Sequence, residues 1–256
     1  MNAPTVTPGA VRRRTALVPI VRYTLRACVP PKRRLGMLVP CAGAVLFGLL
    51  ALLIDDTRNV AFARIAADGI FGLIVPLAAL VIGDAVLGAE IRAGTFHFTW
   101  MSPVRMWQVV VGRWIGGCLV AFVTLVPACA LAAFVAGAPG AAGAAALGAA
   151  FASISYVAVF VAVGCIAKRA AVWSLAIVFL VERLLGLALT GIAQLSPTWE
   201  SRAIFLAYAP DVPDTLVRDG IPQGGGALVR LTIVTAVMLG LAIWRLPRLQ
   251  LSGAAD

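Results

Sequence analysis

The sequence contains few charged residues. Asp, Glu, Lys and Arg make up only 12% of its 256 residues, whereas 61% are hydrophobic. Ordinary water-soluble domains carry about a quarter charged residues, so this composition excludes that class of protein. The chain is therefore predicted to be an integral membrane protein.

Residue types used in catalysis and metal binding are also scarce. His97 is the only histidine, and neither a nucleophile-base arrangement nor a pair of catalytic carboxylates stands out. The cysteines lack metal-site spacing and are interpreted as small apolar residues. We predict no metal site and disfavour a membrane-embedded enzyme. The five cysteines are Cys28, Cys41, Cys118, Cys129 and Cys165.

Lysine is nearly absent, which bears on nucleotide binding. The two lysines, Lys32 and Lys168, follow Pro31 and Ala167. A phosphate-binding loop needs Gly-x-x-x-x-Gly-Lys-Ser/Thr, so that backbone amides and the lysine surround the phosphates. The sequence has no such loop, and we predict no cofactor bound by this chain and no ATPase activity of its own.

Long apolar runs are what the sequence has in abundance. About 20 apolar residues cross the hydrocarbon core of a bilayer as a helix. Six such windows predict an all-α polytopic membrane protein. Only the turn formers Gly137 to Gly140 separate the third window from the fourth, so a count of five is the alternative there. The windows cover residues 35–54, 69–88, 109–136, 143–167, 170–193 and 227–246.

Positive charge is concentrated on one side of this topology. Residues 1–34 contain eight basic residues and no acid, and their side of the membrane holds fifteen of the 21 basic residues. The positive-inside rule then places both termini in the cytoplasm. Contact with anionic lipid explains the net charge of +10 better than nucleic-acid binding does. Nineteen arginines against two lysines are typical of GC-rich codon usage and indicate a bacterial plasma membrane.

These patterns divide the chain into segments. Before the first window, Pro19 to Pro31 predicts a short amphipathic helix in the headgroup plane, with Arg22 and Arg26 on one stripe. The alternative is a basic flank that only sets topology. The predicted segments are the basic N-terminus 1–34, the transmembrane domain 35–246 with its cytoplasmic loop 89–108 and outer segment 194–226, and the tail 247–256. Within the outer segment, SRAIFLAY is too short to span and predicts an external helix.

The cytoplasmic loop is dense in helix-ending signals. We expect the second membrane helix to continue through Glu90 and Arg92 until Gly94 breaks it. Ser102-Pro103 has the N-cap and first-turn chemistry that starts a helix. Residues 95–101 remain as about two turns rich in aromatic side chains. The sequence therefore predicts a short apolar-polar element at the cytoplasmic surface.

The order of residues in this loop matches a known pattern. Glu90, Gly94-Thr95, Pro103, Arg105 and Gly112-Arg113 together resemble the type-2 ABC transporter permeases. The resemblance is strongest over residues 84–117, although this chain has Gly-Arg where the family often has Gly-Lys. It implies that the short element is a coupling helix between the second and third spans, docked in a groove of a cytoplasmic ATP-binding subunit. The residues that it implies at this interface are Glu90, Arg92, Gly94, Thr95, Phe96 and Pro103.

The resemblance also implies a function and partners. The chain would be the permease subunit of an exporter, working with ATP-binding cassette subunits that bind ATP and Mg²⁺ and with a second copy or a related permease. Apolar spans favour a hydrophobic or amphipathic cargo such as a drug, antibiotic or lipid. One alternative is a non-transporting anchor or regulatory subunit for a cytosolic protein. A second alternative concerns the cytoplasmic loop 89–108, which would rest on lipid headgroups and contact no protein subunit.

Two charged residues interrupt the fifth window. Glu182 and Arg183 lie near its middle, where an unpaired charge costs at least about 2.5 kcal/mol. As neighbours they point about 100° apart on a helix, so each is expected to contact other helices. They mark either a polar point on the transport path or subunit interface, or an ion pair that fixes helix packing.

Overall fold

The structure is a computed structural model, and it describes residues 16–28, 34–101, 104–166 and 170–248. Helices joined by turns are the only regular elements in these ranges, which confirms the all-α fold class. They are α1 (Leu17–Cys28), α2 (Arg34–Ala51), α3 (Arg58–Ile91), α4 (Phe96–Met101), α5 (Met106–Val135), α6 (Ala142–Gly164), α7 (Ala170–Ala188), α8 (Pro197–Tyr208) and α9 (Gly225–Arg245). Short helical turns cover Pro139–Ala141, Thr190–Ala193, Asp214–Leu216 and Leu246–Arg248.

Five helices of the described chain are long and apolar enough to cross a membrane: α3, α5, α6, α7 and α9. They overlap the second to sixth predicted windows. The first window, 35–54, falls on α2, whose apolar stretch Leu38–Ala51 is shorter than the other five. The helix ends at Ala51, and the polar residues Asp55 and Asp56 follow in a bend. Six spans are thus not confirmed.

The boundary between α5 and α6 agrees with the sequence. Gly137 has φ +73°, a left-handed conformation that glycine adopts at little cost. The 3-10 turn Pro139–Ala141 follows and leads into α6. Because the turn separates two long apolar helices, the alternative of a merged span here is wrong.

The long helix α3 begins eleven residues before the window that predicted it. Thr57 has an extended backbone and Arg58 is the first helical residue. Arg58, Asn59 and Arg64 lower the local hydropathy, so the apolar run that predicts this span begins only at residue 69. The first turns are nevertheless anchored by a buried apolar face that includes Phe62. Amphipathic ends of this kind escape a hydropathy window because only one face is apolar.

Two of the spans contain wide, π-helical segments. In α3 these are Ala66–Ile74 and Asp84–Gly88, and in α7 the segment is Ile177–Leu185. Each segment contains an acidic residue, and π-helical turns are often found at functional sites. The acids are Asp68, Asp84 and Glu182.

The centre of the bundle is α6, which packs against α3, α5, α8 and α9. Its Ala-rich face, including Ala145, Ala149 and Ala152, is fully buried. At Gly148 a Cβ atom would lie 2.8 Å from the ring of Phe71 on α3, so only glycine permits this approach. Small residues let membrane helices come close enough for dense van der Waals contact.

The N-terminal helix α1 packs along the first half of α5. Gly112 and Gly116 make room for it: a Cβ atom at these positions would lie 2.8 Å from Ile20 and 2.7 Å from Thr24. The Gly-x-x-x-Gly step is therefore a seat for α1. Arg22 on α1 is exposed, and so is Arg26. The placement of α1 in the headgroup plane stays a prediction.

The outer segment contributes α8 to the core. This helix covers the predicted SRAIFLAY and begins four residues earlier, at Pro197. Phe205 stacks on Phe71 at 5.1 Å and meets Phe62 edge-on at 5.9 Å. Contacts with α3, α6 and α9 cover most of α8, so it belongs to the bundle and is not a loosely attached external element.

Candidate functional site

A buried ion pair joins the end of α3 to α5. The Arg113 guanidinium donates from Nη1 to Oε1 of Glu90 at 2.7 Å and from Nη2 to Oε2 at 2.6 Å. It also donates to the carbonyl of Val86 at 2.7 Å. Arg113 is 2% exposed and Glu90 is 12% exposed. Two parallel charge-assisted bonds fix both distance and orientation, so the loop after α3 is tied to the helix that follows it.

The helix α1 closes this ion pair from a third side. The ring of Tyr23 lies 5.0 Å from the guanidinium carbon of Arg113, within range of a cation–π contact. Burial and a hydrogen bond with Glu90 raise the pKa of Tyr23, while Arg113 lowers it. The neutral phenol is therefore the stable form between the two charges. Three elements that are distant in sequence meet at one polar point.

The end of α3 is shaped by a Schellman cap. Gly94 has φ +69°, its N–H donates to the carbonyl of Ile91 at 3.2 Å, and the N–H of Thr95 donates to the carbonyl of Glu90 at 3.1 Å. These are the two bonds that define the motif, with glycine in its left-handed position. The predicted break at Gly94 is confirmed, and the Gly-Thr pair has a structural explanation: it ends α3 and redirects the chain into α4.

The aromatic residues of α4 divide between core and surface. Phe96 is fully buried in a cluster with Val109, Val110 and the end of α9. Phe98 is 72% exposed and Met101 is 63% exposed. Phe96 therefore anchors α4, whereas Phe98 and Met101 are the apolar groups that a partner could touch.

Two of the predicted interface residues fall partly or wholly outside the description. Arg92 directly follows Ile91 in the helical turn Ala89–Arg92, but its side chain is not among those described. Pro103 lies outside the described residues. Helix α5 begins at Met106, after an extended Arg105, and not at the Ser102-Pro103 pair as predicted. The extended backbone of Arg105 is incompatible with a helix that continues from Pro103.

A second polar centre lies inside the bundle, around Glu182 of α7. Its Oε2 accepts hydrogen bonds from Tyr156 on α6 at 2.5 Å, from Thr198 Oγ1 at 2.5 Å and from Ser196 Oγ at 2.9 Å. The backbone N–H of Thr198 adds a longer bond of 3.3 Å, and Tyr156 also bonds Thr198 directly. Thr198 is in the first turn of α8, where free N–H groups favour an anion. Glu182 thus caps α8 from another helix.

The charges of Glu182 and Arg183 do not pair in the described chain. In the described residues Glu182 is held by hydroxyl groups, and the ion-pair interpretation stays a prediction. Arg183 points elsewhere, with its Nη1 only 2.5 Å from where a Cβ atom on Gly72 of α3 would lie. This divergence is what their 100° separation predicts. The hydroxyl partners could not be found from sequence, because Tyr156 comes from α6 and the other two, Ser196 and Thr198, come from the outer segment.

The indole of Trp199 links Glu182 to a group of arginines. Its Nε1 donates to the backbone carbonyl of Glu182 at 3.1 Å. The guanidinium carbons of Arg202 and Arg218 lie 5.3 Å and 4.6 Å from its ring centroids. Arg202 also pairs with Asp68 of α3 at 2.6 Å. These contacts could not be predicted from the sequence, in which Asp68, Arg202 and Arg218 are only isolated charges.

A match to a known protein family shows which family the chain belongs to. The profile of a family described as ABC-2 family transporter protein matches residues 16–251. The chain belongs to this family. No individual curated protein gives a significant match. The family match makes the chain a membrane permease component of an ABC transporter, a class that normally works with ATP-binding cassette subunits and is generally not catalytic itself.

Proposed function

We propose that this permease is the membrane subunit of an exporter and that α4 is the surface on which a separate ATP-binding subunit docks. The observation that carries the proposal is the pair of exposed apolar side chains, Phe98 and Met101, on a short helix that is held in place at its base. Buried aromatic and methionine side chains are common anchors of protein interfaces. Exposed apolar groups on a fixed helix suit that role.

The ion pair at the base of the loop suggests how a push on α4 reaches the membrane. The ATP-binding subunit binds ATP with Mg²⁺ and moves when it closes on them. Because Glu90 and Arg113 join α3 to α5, and Tyr23 adds α1, a displacement of α4 moves these helices together. In this account Glu90, Gly94, Thr95 and Phe96 shape the docking surface from beneath. Arg92 and Pro103 remain predicted contacts.

A second permease subunit completes the proposed transporter. Helices α7 and α9 are the least buried of the five spans, and their outward faces are apolar. A second copy or a related permease packs against such faces, and the pathway forms between the subunits. A hydrophobic or amphipathic cargo fits these walls, because the acid in α7, Glu182, is turned into the bundle. Exposed residues on α7 include Trp173, Leu180, Leu184 and Leu187.

The proposed setting is a bacterial plasma membrane with both termini in the cytoplasm. The exposed Arg22 and Arg26 of α1 then face anionic headgroups. In this orientation α4 is cytoplasmic, and α8 lies toward the outer side.

A matched pair of substitutions tests the docking surface. Phe98→Ala is expected to reduce recovery of the ATP-binding subunit with the purified permease by about tenfold, because loss of an aromatic anchor costs roughly 1 to 2 kcal/mol. Phe134→Ala removes a similarly exposed ring at the far end of α5 and serves as the control. Equal recovery with wild type, Phe98→Ala and Phe134→Ala would contradict docking on α4. It would favour a loop that rests on lipid.

A further inference from the structure

Two arginines from different segments contact Trp199, and a third contacts the part of α3 that pairs with one of them. Arg183 comes from α7, Arg202 from α8 and Arg218 from the loop after α8; together they form the outer arginine cluster. Arg202 and Arg218 both contact the Trp199 ring. Arg183 lies over Gly72, which is four residues after Asp68, the partner of Arg202. Asp68 and Gly72 belong to the same π-helical segment of α3, so Arg183 and Arg202 contact the same part of that helix, and Arg183 is close enough to lower the pKa of Arg202 by repulsion.

Two members of the cluster have structural partners. Arg218 donates to the carbonyls of Gly186 at 2.6 Å and Leu187 at 2.9 Å, and so caps the end of α7. Arg202 donates to Asp68 at 2.6 Å and to the carbonyl of Leu216 at 3.3 Å. These bonds explain where the two side chains are held.

Arg183 differs from them. No group in the described chain accepts a hydrogen bond from its guanidinium, although the side chain is half-buried against α3. The nearest acid in sequence, Glu182, is turned the other way and is occupied by hydroxyl groups. A guanidinium has five N–H donors in a fixed fork that matches an oxyanion. Arg183 presents this fork without an acceptor.

The charges of the cluster are also unbalanced. Asp68 is the one carboxylate that pairs with any of the three arginines in the described residues, and it is 62% exposed. Burial lowers the pKa of Arg202, Asp68 raises it, and Arg183 and Arg218 lower it again by repulsion. Repulsion between like charges at this range is strong where water is partly excluded. An anion between Arg183 and Arg202 would relieve it.

We infer that the outer arginine cluster binds an oxyanion group, a phosphate or carboxylate, with Arg183 as its principal donor and Arg202 supporting it by charge. The group is presented at the outer side of the bundle, either by the head of a membrane lipid or by a soluble or amphipathic anion. The inference goes beyond the proposed function and does not depend on the ATP-binding subunit.

Thermal unfolding of the full chain in a neutral detergent tests this site. The probes are inorganic phosphate, dihexanoyl phosphatidylglycerol and dihexanoyl phosphatidylcholine, each titrated at constant ionic strength. We expect inorganic phosphate or the anionic lipid to raise the unfolding midpoint of the wild type more than the zwitterionic lipid does. Arg183→Gln should weaken the apparent affinity by about tenfold, the typical worth of a hydrogen bond to a charged group.

Two further variants make the outcome specific. Arg58→Gln removes an exposed arginine of α3 that is not in the cluster, and it should respond like the wild type. Arg183→Lys keeps the positive charge but loses the planar arrangement of donors, so its apparent affinity for the anion should lie between those of wild type and Arg183→Gln. It replaces the Gln variant in the test if that variant does not fold. A response to inorganic phosphate identifies a free anion, and a response to the anionic lipid alone identifies a lipid head. If wild type and both Arg183 variants respond equally to inorganic phosphate and to the anionic lipid, or if none of the probes raises the wild-type midpoint, the inference is overturned.

Discussion

At the scale of single residues, Arg113 is the side chain whose loss should cost most. It is almost fully buried and holds Glu90 and the carbonyl of Val86. Removal of one member of a buried pair leaves an uncompensated charge, which costs about 3 to 5 kcal/mol. Arg113→Ala should therefore lower the thermal unfolding midpoint clearly, and Glu90→Gln with Arg113→Gln together should lower it less than Arg113→Ala alone. If the loss of stability in the double variant equals the sum of the losses in Glu90→Gln and Arg113→Gln, the two side chains do not interact as described.

Glu182 offers a different residue-scale prediction, because its partners are donors and not cations. Glu182→Leu leaves the hydroxyls of Tyr156, Thr198 and Ser196 without their acceptor and should destabilise the protein by at least about 2 kcal/mol. Glu182→Gln keeps one acceptor oxygen and should retain most of the stability. The measurement is the unfolding midpoint of both variants. If the Gln variant is stable but inactive in transport, the carboxylate has a function beyond packing; equal damage by Gln and Leu would contradict the hydroxyl arrangement.

A third prediction concerns Glu200 of α8, which is fully buried and has no hydrogen-bond partner on either carboxylate oxygen among the described atoms. Burial raises its pKa from 4.5 to about 7, against a smaller opposing effect of Arg230. The folded protein then holds this proton more tightly than the unfolded chain does. The stability contributed by the neutral group is complete below pH 4.5 and is lost as the pH rises through about 7.

The matched variant for this prediction is Glu200→Gln, which does not titrate. Between pH 5 and pH 8 the wild type should lose stability relative to the variant, by an amount on the order of 3 kcal/mol. The unfolding midpoints of both proteins across this pH range give the comparison. Parallel pH profiles would contradict a raised pKa at Glu200.

At the scale of elements, the cap between α3 and α4 rests on one glycine. A Cβ atom at Gly94 would meet no atom within 4 Å, so a substitution there acts on the backbone alone. Alanine in the left-handed region costs roughly 1 to 2 kcal/mol. Gly143 of α6 is equally open but has an ordinary helical backbone, and Gly→Ala there should be neutral or stabilising. The thermal unfolding midpoint should therefore fall for Gly94→Ala and stay the same or rise for Gly143→Ala. An equal fall in both variants would contradict the cap.

The elements also show how far sequence reasoning reaches. Hydropathy and turn residues predicted the positions of α5, α6, α7 and α9, because these depend on local composition. The break at Gly94 was predictable for the same reason. The first turns of α3 could not be predicted from hydropathy. They have a buried apolar face, but Arg58 and Arg64 in the same turns lower the mean hydropathy. The length of α2 was overestimated, since an apolar run does not reveal where the chain turns.

At the scale of the whole molecule, the contacts that define both polar centres join distant parts of the chain. Tyr23 reaches Arg113 because α1 packs on α5, and Glu182 reaches Thr198 because α8 packs in the bundle. The sequence identified three of these residues, Glu90, Arg113 and Glu182, as noteworthy charges. Their partners follow from the packing of helices, for which a single sequence contains no direct signal.

The proposed function depends above all on a separate ATP-binding subunit that drives this permease. The most direct test is affinity purification of the full chain from its native membrane in a mild detergent, with mass spectrometry of the proteins that accompany it and an assay of ATP hydrolysis. We predict a stoichiometric partner that contains a Gly-x-x-x-x-Gly-Lys-Ser/Thr loop and hydrolyses ATP in the complex. Repeated recovery of an intact complex without any ATPase would contradict the claim and would favour a membrane anchor or regulatory subunit.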